Sequence, residues 1–219
     1  MATLSHQEAK GFYDRFGAWQ DAQGWYEDRA TSDLVAHSDL PSARSVFEFG
    51  CGTGRFAERI TRAHLQAECA YLGVDISETM VELATERLAP WTARARVEMS
   101  TGDMQVNARE HEFDRVISNY VLDLLSEQDV TALLAEARRI LAPGGRLCLT
   151  GLGLGTTPLS RLVANLWGKV HAWKPAIVGG CRPVDLTVHL DPDQWTVTYQ
   201  TTVVSFGVPS AVLVATPVK

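Results

Sequence analysis

Val46-Phe47-Glu48-Phe49-Gly50-Cys51-Gly52-Thr53-Gly54 is an apolar run that passes directly into a glycine-rich turn, and from Arg55 onward apolar residues recur at helical spacing. A strand, a tight turn and a helix in that order open a βαβ unit. Glycine lets the backbone of such a turn bend sharply and lets a ligand approach where a Cβ would clash. The spacing is G-x-G-x-G. The dinucleotide fingerprint is G-x-G-x-x-G, whose last glycine aids helix packing beside a pyrophosphate, so the ligand of this turn need not carry phosphates.

Outward from the turn, short apolar or β-branched runs at 45–49, 70–74, 96–99, 113–118 and 146–150 alternate with helical patterns at 55–67, 78–88 and 127–141. This rhythm predicts a parallel sheet flanked by helices. Pro143-Gly144-Gly145 is read as the stop after the last of those helices. A further helix is expected over 156–173, then a loop rich in Pro and Gly over 174–183. Two β-rich runs at 195–206 and 210–218, joined through Gly207-Val208-Pro209, predict an antiparallel hairpin.

At 219 residues the chain is long enough for one well-buried core. Its net charge of -6 opposes the electrostatics of a protein that binds phosphate backbones, so nucleic acid is a poor partner. No apolar run is long enough to span a bilayer, and the opening MATLSHQEAKGFYDRF has no signal-peptide pattern; a cytoplasmic location is expected. Cys51, Cys69, Cys148 and Cys181 are far apart with no C-x-x-C pair. Buried thiols are expected there, and neither a disulfide framework nor a metal is implied.

The order of motifs resembles the class I S-adenosylmethionine-dependent methyltransferases. Glu48, Gly50, Gly52 and Gly54 match their first motif, an acidic residue followed by G-x-G-x-G, with Cys51 inside it. Asp75, at the end of the second strand, matches the carboxylate that accepts hydrogen bonds from both ribose hydroxyls. Further matches are Gly102-Asp103-Met104 and the run from Phe113 to Asn119. The resemblance implies that Asp103 holds the adenine amino group, that Ile76 and Met104 are apolar walls, and that Asn119 lines the methionine end. The nearest patterns are ubiquinone and menaquinone biosynthesis methyltransferases and bacterial phospholipid N-methyltransferases. The implied fold is α/β and Rossmann-like, a mostly parallel seven-stranded sheet with a C-terminal antiparallel hairpin and a helical lid. Residues 1–43 form an N-terminal lid segment, and the methyltransferase domain over 44–219 carries a substrate-side insertion at 152–192.

Methyl transfer from a sulfonium needs alignment of donor and acceptor and exclusion of water. A base is required only for a protonated acceptor. Tyr13, Tyr26, Tyr120, Asp123 and His171 are candidates, none singled out by spacing, and the catalytic residue stays unassigned. Asn119-Tyr120-Val121-Leu122 lacks the Pro-Pro-Tyr run of amino methyltransferases acting on adenine or glutamine. Phe12, Tyr13, Phe16, Trp19, Trp25 and Tyr26 form an aromatic stretch expected to cover the cofactor, with Tyr13 and Tyr26 in contact with it.

In the inserted helix Leu159, Leu162, Val163, Leu166, Val170 and Trp173 share one face, with Arg161, Asn165 and Lys169 opposite. The favoured reading docks the apolar face on the core and leaves a solvated basic face. The alternative is a lid for an apolar acceptor with an anionic group, small-molecule or lipid-like, collected by peripheral membrane contact. Arg182 pairs with an anionic substrate group or braces its loop. Two competing classes remain beside the enzyme: a silent fold relative acting as a partner subunit, and a nicotinamide oxidoreductase, which the glycine spacing and the hairpin oppose.

Overall fold

The computed structural model describes residues 5–218, apart from the side chains of Phe16, Ala18 and Trp19. Its sheet is built of β1 (Ser45–Phe49), β2 (Ala70–Asp75), β3 (Ala95–Met99), β4 (Phe113–Asn119), β5 (Leu141–Leu152), β6 (Trp195–Ser205) and β7 (Val208–Pro217). The order is β3-β2-β1-β4-β5-β7-β6, parallel through β5, with β7 antiparallel to both β5 and β6. From β1 the chain winds outward to β3 and then returns to place β4 on the other side of β1. At such a reversal the two connections leave in opposite directions and open a crevice at the carboxyl ends of the strands. The glycine turn after β1 and Asn119 at the end of β4 face each other across it.

The helices are α1 (His6–Phe16), α2 (Gly24–His37), α3 (Arg55–Ala63), α4 (Glu78–Arg87), α5 (Glu127–Ile140) and α6 (Pro158–Trp173). Hydroxyl caps start several of them: Ser77 Oγ accepts the Met80 N–H at 3.3 Å and Ser126 Oγ the Asp129 N–H at 3.1 Å. Alternation along each strand supplies both faces of the sheet. On β1, Phe47 and Phe49 join Val130, Leu133 and Ile140 of α5, whereas Val46 joins Leu34 of α2 and Ile60 of α3.

Several boundaries differ from expectation for local reasons. Ser205 pairs with Val208, so the hairpin turn is Phe206-Gly207 alone, with φ of 51° and 86°. A two-residue turn with both φ positive has the twist of the flanking strands. Val208 and Pro209, expected in the connection, belong to β7. Pro143-Gly144-Gly145 lies inside β5, because Leu141 already pairs with Phe113; the ladder is irregular there.

The segment 1–43 divides in two. α1 has no fully buried side chain among those described, but α2 buries Ala30 and Leu34 against the face of β7 that carries Val212 and Val214, so α2 is a core helix. α6 departs from the favoured reading on its apolar side: it buries Ser160, Ala164 and His171, while Leu159, Leu162, Leu166 and Trp173 are exposed; Arg161, Asn165 and Lys169 are exposed as expected. The small residues give close approach to the sheet, and the Trp167 Nε1–H anchors the helix on the Cys181 carbonyl at 3.1 Å.

Candidate functional site

The glycine turn is left-handed at Gly50, Gly52 and Gly54, with φ of 66°, 53° and 75°. Its first and last residues are held by packing as well: a Cβ on Gly50 would lie 2.4 Å from Val121 Cγ2, and one on Gly54 would lie 2.9 Å from the Cα of Ala84. The Cys51 N–H donates to the Val74 carbonyl at 3.0 Å, tying the turn to β2. All four cysteines are free and buried.

Two carboxylates flank the turn. Glu48 follows Phe47 on β1 and so points to the α2 and α3 side, where it is buried. Tyr71 OH donates to its Oε2 at 2.6 Å and Asn119 Nδ2 to its Oε1 at 3.1 Å. Thr150 Oγ1 donates in turn to Asn119 Oδ1 at 2.9 Å. Loss of solvation outweighs these donors and raises the Glu48 carboxyl to about 7. Asp75 accepts the Gly52 N–H on Oδ2 and the Ser77 N–H on Oδ1, both at 2.9 Å. A carboxylate has about four acceptor positions, so Asp75 keeps capacity for further donors. Burial raises its carboxyl above the ordinary range despite the backbone donors.

Two cavities meet at this point. One of about 120 Å³ is lined by Tyr13, Asp75, Ile76, Gly102 and Met104. The other, about 390 Å³, is lined by Glu27, Glu48, Cys51, Gly52 and Arg59. Gln20, Gly50, Asn119 and Tyr120 border both. Buried polar atoms without partners lie on the larger wall: Gln20 Oε1, and Nε and Nη2 of Arg59. Arg59 Nη1 donates to Ser32 Oγ at 3.3 Å, and burial lowers the pKa of its guanidinium. α1 covers the smaller cavity. Ser77 Oγ donates to Asp14 Oδ1 at 2.6 Å, His6 Nε2 lies 3.3 Å from Asp129 Oδ2, and Tyr13 OH donates to the Gly179 carbonyl at 3.4 Å.

Of the residues expected at the site, Tyr13, Glu48, Gly50, Cys51, Gly52, Asp75, Ile76, Met104 and Asn119 are brought together. Tyr26 lies behind Tyr120, edge to face at 5.8 Å, and also meets Trp167 at 6.4 Å. Asp103 is not brought in. It is exposed and caps its own turn, with Oδ1 accepting from Thr101 Oγ1 at 2.8 Å and the Gln105 N–H at 3.2 Å. The side chains of Phe16 and Trp19 lie outside the described residues. Arg182 braces its loop, Nη1 donating to the carbonyls of Asp123 at 3.2 Å and Leu125 at 2.9 Å.

Among the base candidates, burial raises the hydroxyls of Tyr13, Tyr26 and Tyr120 and depresses His171. Asp123 is pushed up to about 6 by burial; its Oδ2 takes the Leu152 N–H at 3.1 Å and its Oδ1 has no partner. Glu27 was not among the sequence candidates, and burial raises it to about 7 on the cavity wall. Gln20, Glu27 and Arg59 belong to no motif, and on their helices they read as ordinary surface polar residues.

Residues 46–145 match the family model described as a methyltransferase domain. The carboxy-S-adenosyl-L-methionine synthase of Shewanella pealeana is 27% identical over 118 residues, 54% of this chain and 48% of that protein. The same enzyme of Shewanella sp. (strain MR-7) is 31% identical over 105 residues, 48% and 43% of the two chains. The chain thus spans about half the length of these relatives. Among solved structures, the [4+2]-cyclase SpnF aligns with a TM-score of 0.71 at 17% identity, over 98% of this chain and 97% of that one. The N-methyltransferase NodS from Bradyrhizobium japonicum, solved with S-adenosyl-L-homocysteine, aligns at 0.65 and 16% identity over 88% of each chain. Geranyl diphosphate methyltransferase with its bound cofactor aligns at 0.66 and 13% identity, over 88% and 86%. Sheet order, glycine turn and matched segment agree: residues 46–145 match a methyltransferase domain on a Rossmann-like fold, and the pattern is similar to that of the class I S-adenosylmethionine-dependent methyltransferases.

Proposed function

We propose that this chain binds S-adenosylmethionine in the crevice between β1 and β4 and transfers its methyl group to an apolar small-molecule or lipid-like acceptor. The observation that carries the binding is the orphaned acceptor of Gln20 and the orphaned donors of Arg59 on one cavity wall. The ammonium and carboxylate of an α-amino acid are the complement of that pair. Asp75 would take the ribose hydroxyls, Ile76 and Met104 would flank the adenine, and Asn119 with Glu48 would close the methionyl end. Asp103 would reach the adenine only by giving up the bonds of its own turn, so the assignment leans on the other residues.

When bound, the cofactor supplies a methyl group on a sulfonium, an already activated leaving group. The chain's own residues hold both of its ends, and α1 excludes water from the adenosine side. Glu27, which shares the larger wall with Asn119 and Tyr120, is our choice of proton acceptor. A carboxyl near 7 is poised at neutral pH, whereas Asp123 is not on either cavity wall. The aromatic surround of Tyr26, Tyr120 and Trp167 suits an apolar acceptor.

A second reading has one observation in its favour: the curated relatives are named synthases of a carboxylated cofactor. Calorimetric titration with S-adenosylmethionine, S-adenosylhomocysteine and NAD, followed by mass spectrometry of incubations with lipid, quinone and polar acceptors and, separately, with carboxylic acids as carboxyl donors, tests both. The expected result is binding of the adenosyl pair without NAD and an acceptor heavier by one methylene. Absence of adenosyl binding overturns the proposal; a changed cofactor with no methylated acceptor favours the synthase reading.

A further inference from the structure

The outward side of α6 is apolar. Leu159, Leu162, Leu166 and Trp173 are 62%, 64%, 61% and 79% exposed. They follow one another at helical spacing over fourteen residue steps, or about 21 Å along the axis. The stripe continues beyond the helix. Gly207 lies against Leu159 and Val163, its neighbour Phe206 is 84% exposed, and the Phe206 ring meets that of Trp25, itself 53% exposed, at 5.8 Å. A contiguous patch of leucine, tryptophan and phenylalanine on one side of a chain marks a surface that is covered in use.

Charge selects what covers it. Residues 154–184 contain Arg161, Lys169, Lys174 and Arg182 and no aspartate or glutamate, in a chain of net charge -6. Arg182 is occupied with backbone carbonyls. The other three are exposed and border the apolar stripe. A two-fold dimer through this patch would set the same three cations against their copies, and like charges at short range repel. An anionic lipid surface accepts both the apolar stripe and the cations around it.

We propose that α6, together with Trp25 and Phe206, lies in the interface of an anionic lipid bilayer. Trp167 and Tyr26 connect the inner side of this patch to Tyr120 at the cavities, so the bound surface stands next to the acceptor side of the site. That link rests on the function proposed above; the surface itself is tested without turnover.

The test is co-sedimentation with vesicles of phosphatidylcholine alone and of phosphatidylcholine mixed with an equal share of phosphatidylglycerol. The wild-type protein should sediment with the anionic vesicles only, and less so as salt rises. Leu162→Ser with Leu166→Ser, and separately Lys169→Glu with Lys174→Glu, should each lower partition by about tenfold or more. Titration with adenosylhomocysteine should be unchanged in both, which shows that they fold. No sedimentation with anionic vesicles, or wild-type partition in both double variants, overturns the proposal. So does a dimer in sedimentation velocity that the leucine variant dissolves. Adenosylhomocysteine binding without vesicle binding would fail this inference alone, and the reverse would fail the cofactor assignment alone.

Discussion

Glu48 is an acid buried under the glycine turn with two donors, Tyr71 and Asn119, and a carboxyl raised from 4.5 to about 7. Between those values the folded chain keeps a proton that the unfolded chain has released, so stability falls as pH rises through the window. The expected loss from this residue is about 3 kcal/mol. Glu48→Gln retains an acceptor and a donor for the two neighbours and should flatten that slope in urea titrations of the ligand-free protein at pH 5 and 7.5. A variant with the wild-type slope would show that Glu48 titrates normally. Arg59 gives a second test at this scale. Arg59→Gln should weaken adenosylhomocysteine by about ten- to a hundredfold, the range for a bond to a charged group. It should leave 5′-methylthioadenosine, which lacks the amino-acid end, as in the wild type. Equal losses for both ligands would point to a general disturbance of the turn.

At the scale of elements, the strand-turn-helix unit carries its own reasons. Gly54 has φ 75° and a would-be Cβ 2.9 Å from the backbone of Ala84, whereas Gly144 has φ 78° and open space. Gly144→Ala therefore isolates the left-handed strain of about 1–2 kcal/mol. Gly54→Ala adds a clash between α3 and α4 and should cost about 1–3 kcal/mol more, read from denaturant midpoints. Equal costs would mean that the helices separate freely. The same unit explains what was legible in the sequence. Strands β1, β2 and β4 with the turns after them are specified by contiguous residues, and with them Asp75, Ile76 and Asn119. On α6 the periodicity finds the apolar stripe and the basic face, but the chain covers a third face, that of Ser160, Ala164 and His171, whose small and polar residues give no hydrophobic signal. Asp103 fitted its motif position, but its short side chain is used by its own turn. Arg59, Gln20 and Glu27 come to line one cavity only when α2, α3 and the 3-10 turn Gly17–Gln23 converge, which no local pattern records.

Across the whole molecule the N-terminal segment separates into two stability classes. α2 is fastened by fully buried Ala30 and Leu34 against β7 and should open only with the sheet. α1 has no fully buried side chain among those described; it is held to the core by partly buried Ala9, Phe12 and Tyr13 and by polar contacts of Asp14, His6 and Tyr13 with α4, α5 and the loop at Gly179. Such contacts exchange readily with water, so local opening of α1 needs far less free energy than global unfolding. A ligand in the cavity beneath Tyr13 and Ile76 binds best when α1 is closed, and by linkage it must then favour closure. Hydrogen exchange should therefore show fast-exchanging amides in α1 of the free protein and slow ones in α2. Saturating adenosylhomocysteine should slow α1 while the slowest amides of α2 change only with global stability. If α1 were as protected as β1 without ligand, it would be a fixed wall, and the cofactor would have to enter from the larger cavity past Arg59 and Glu27.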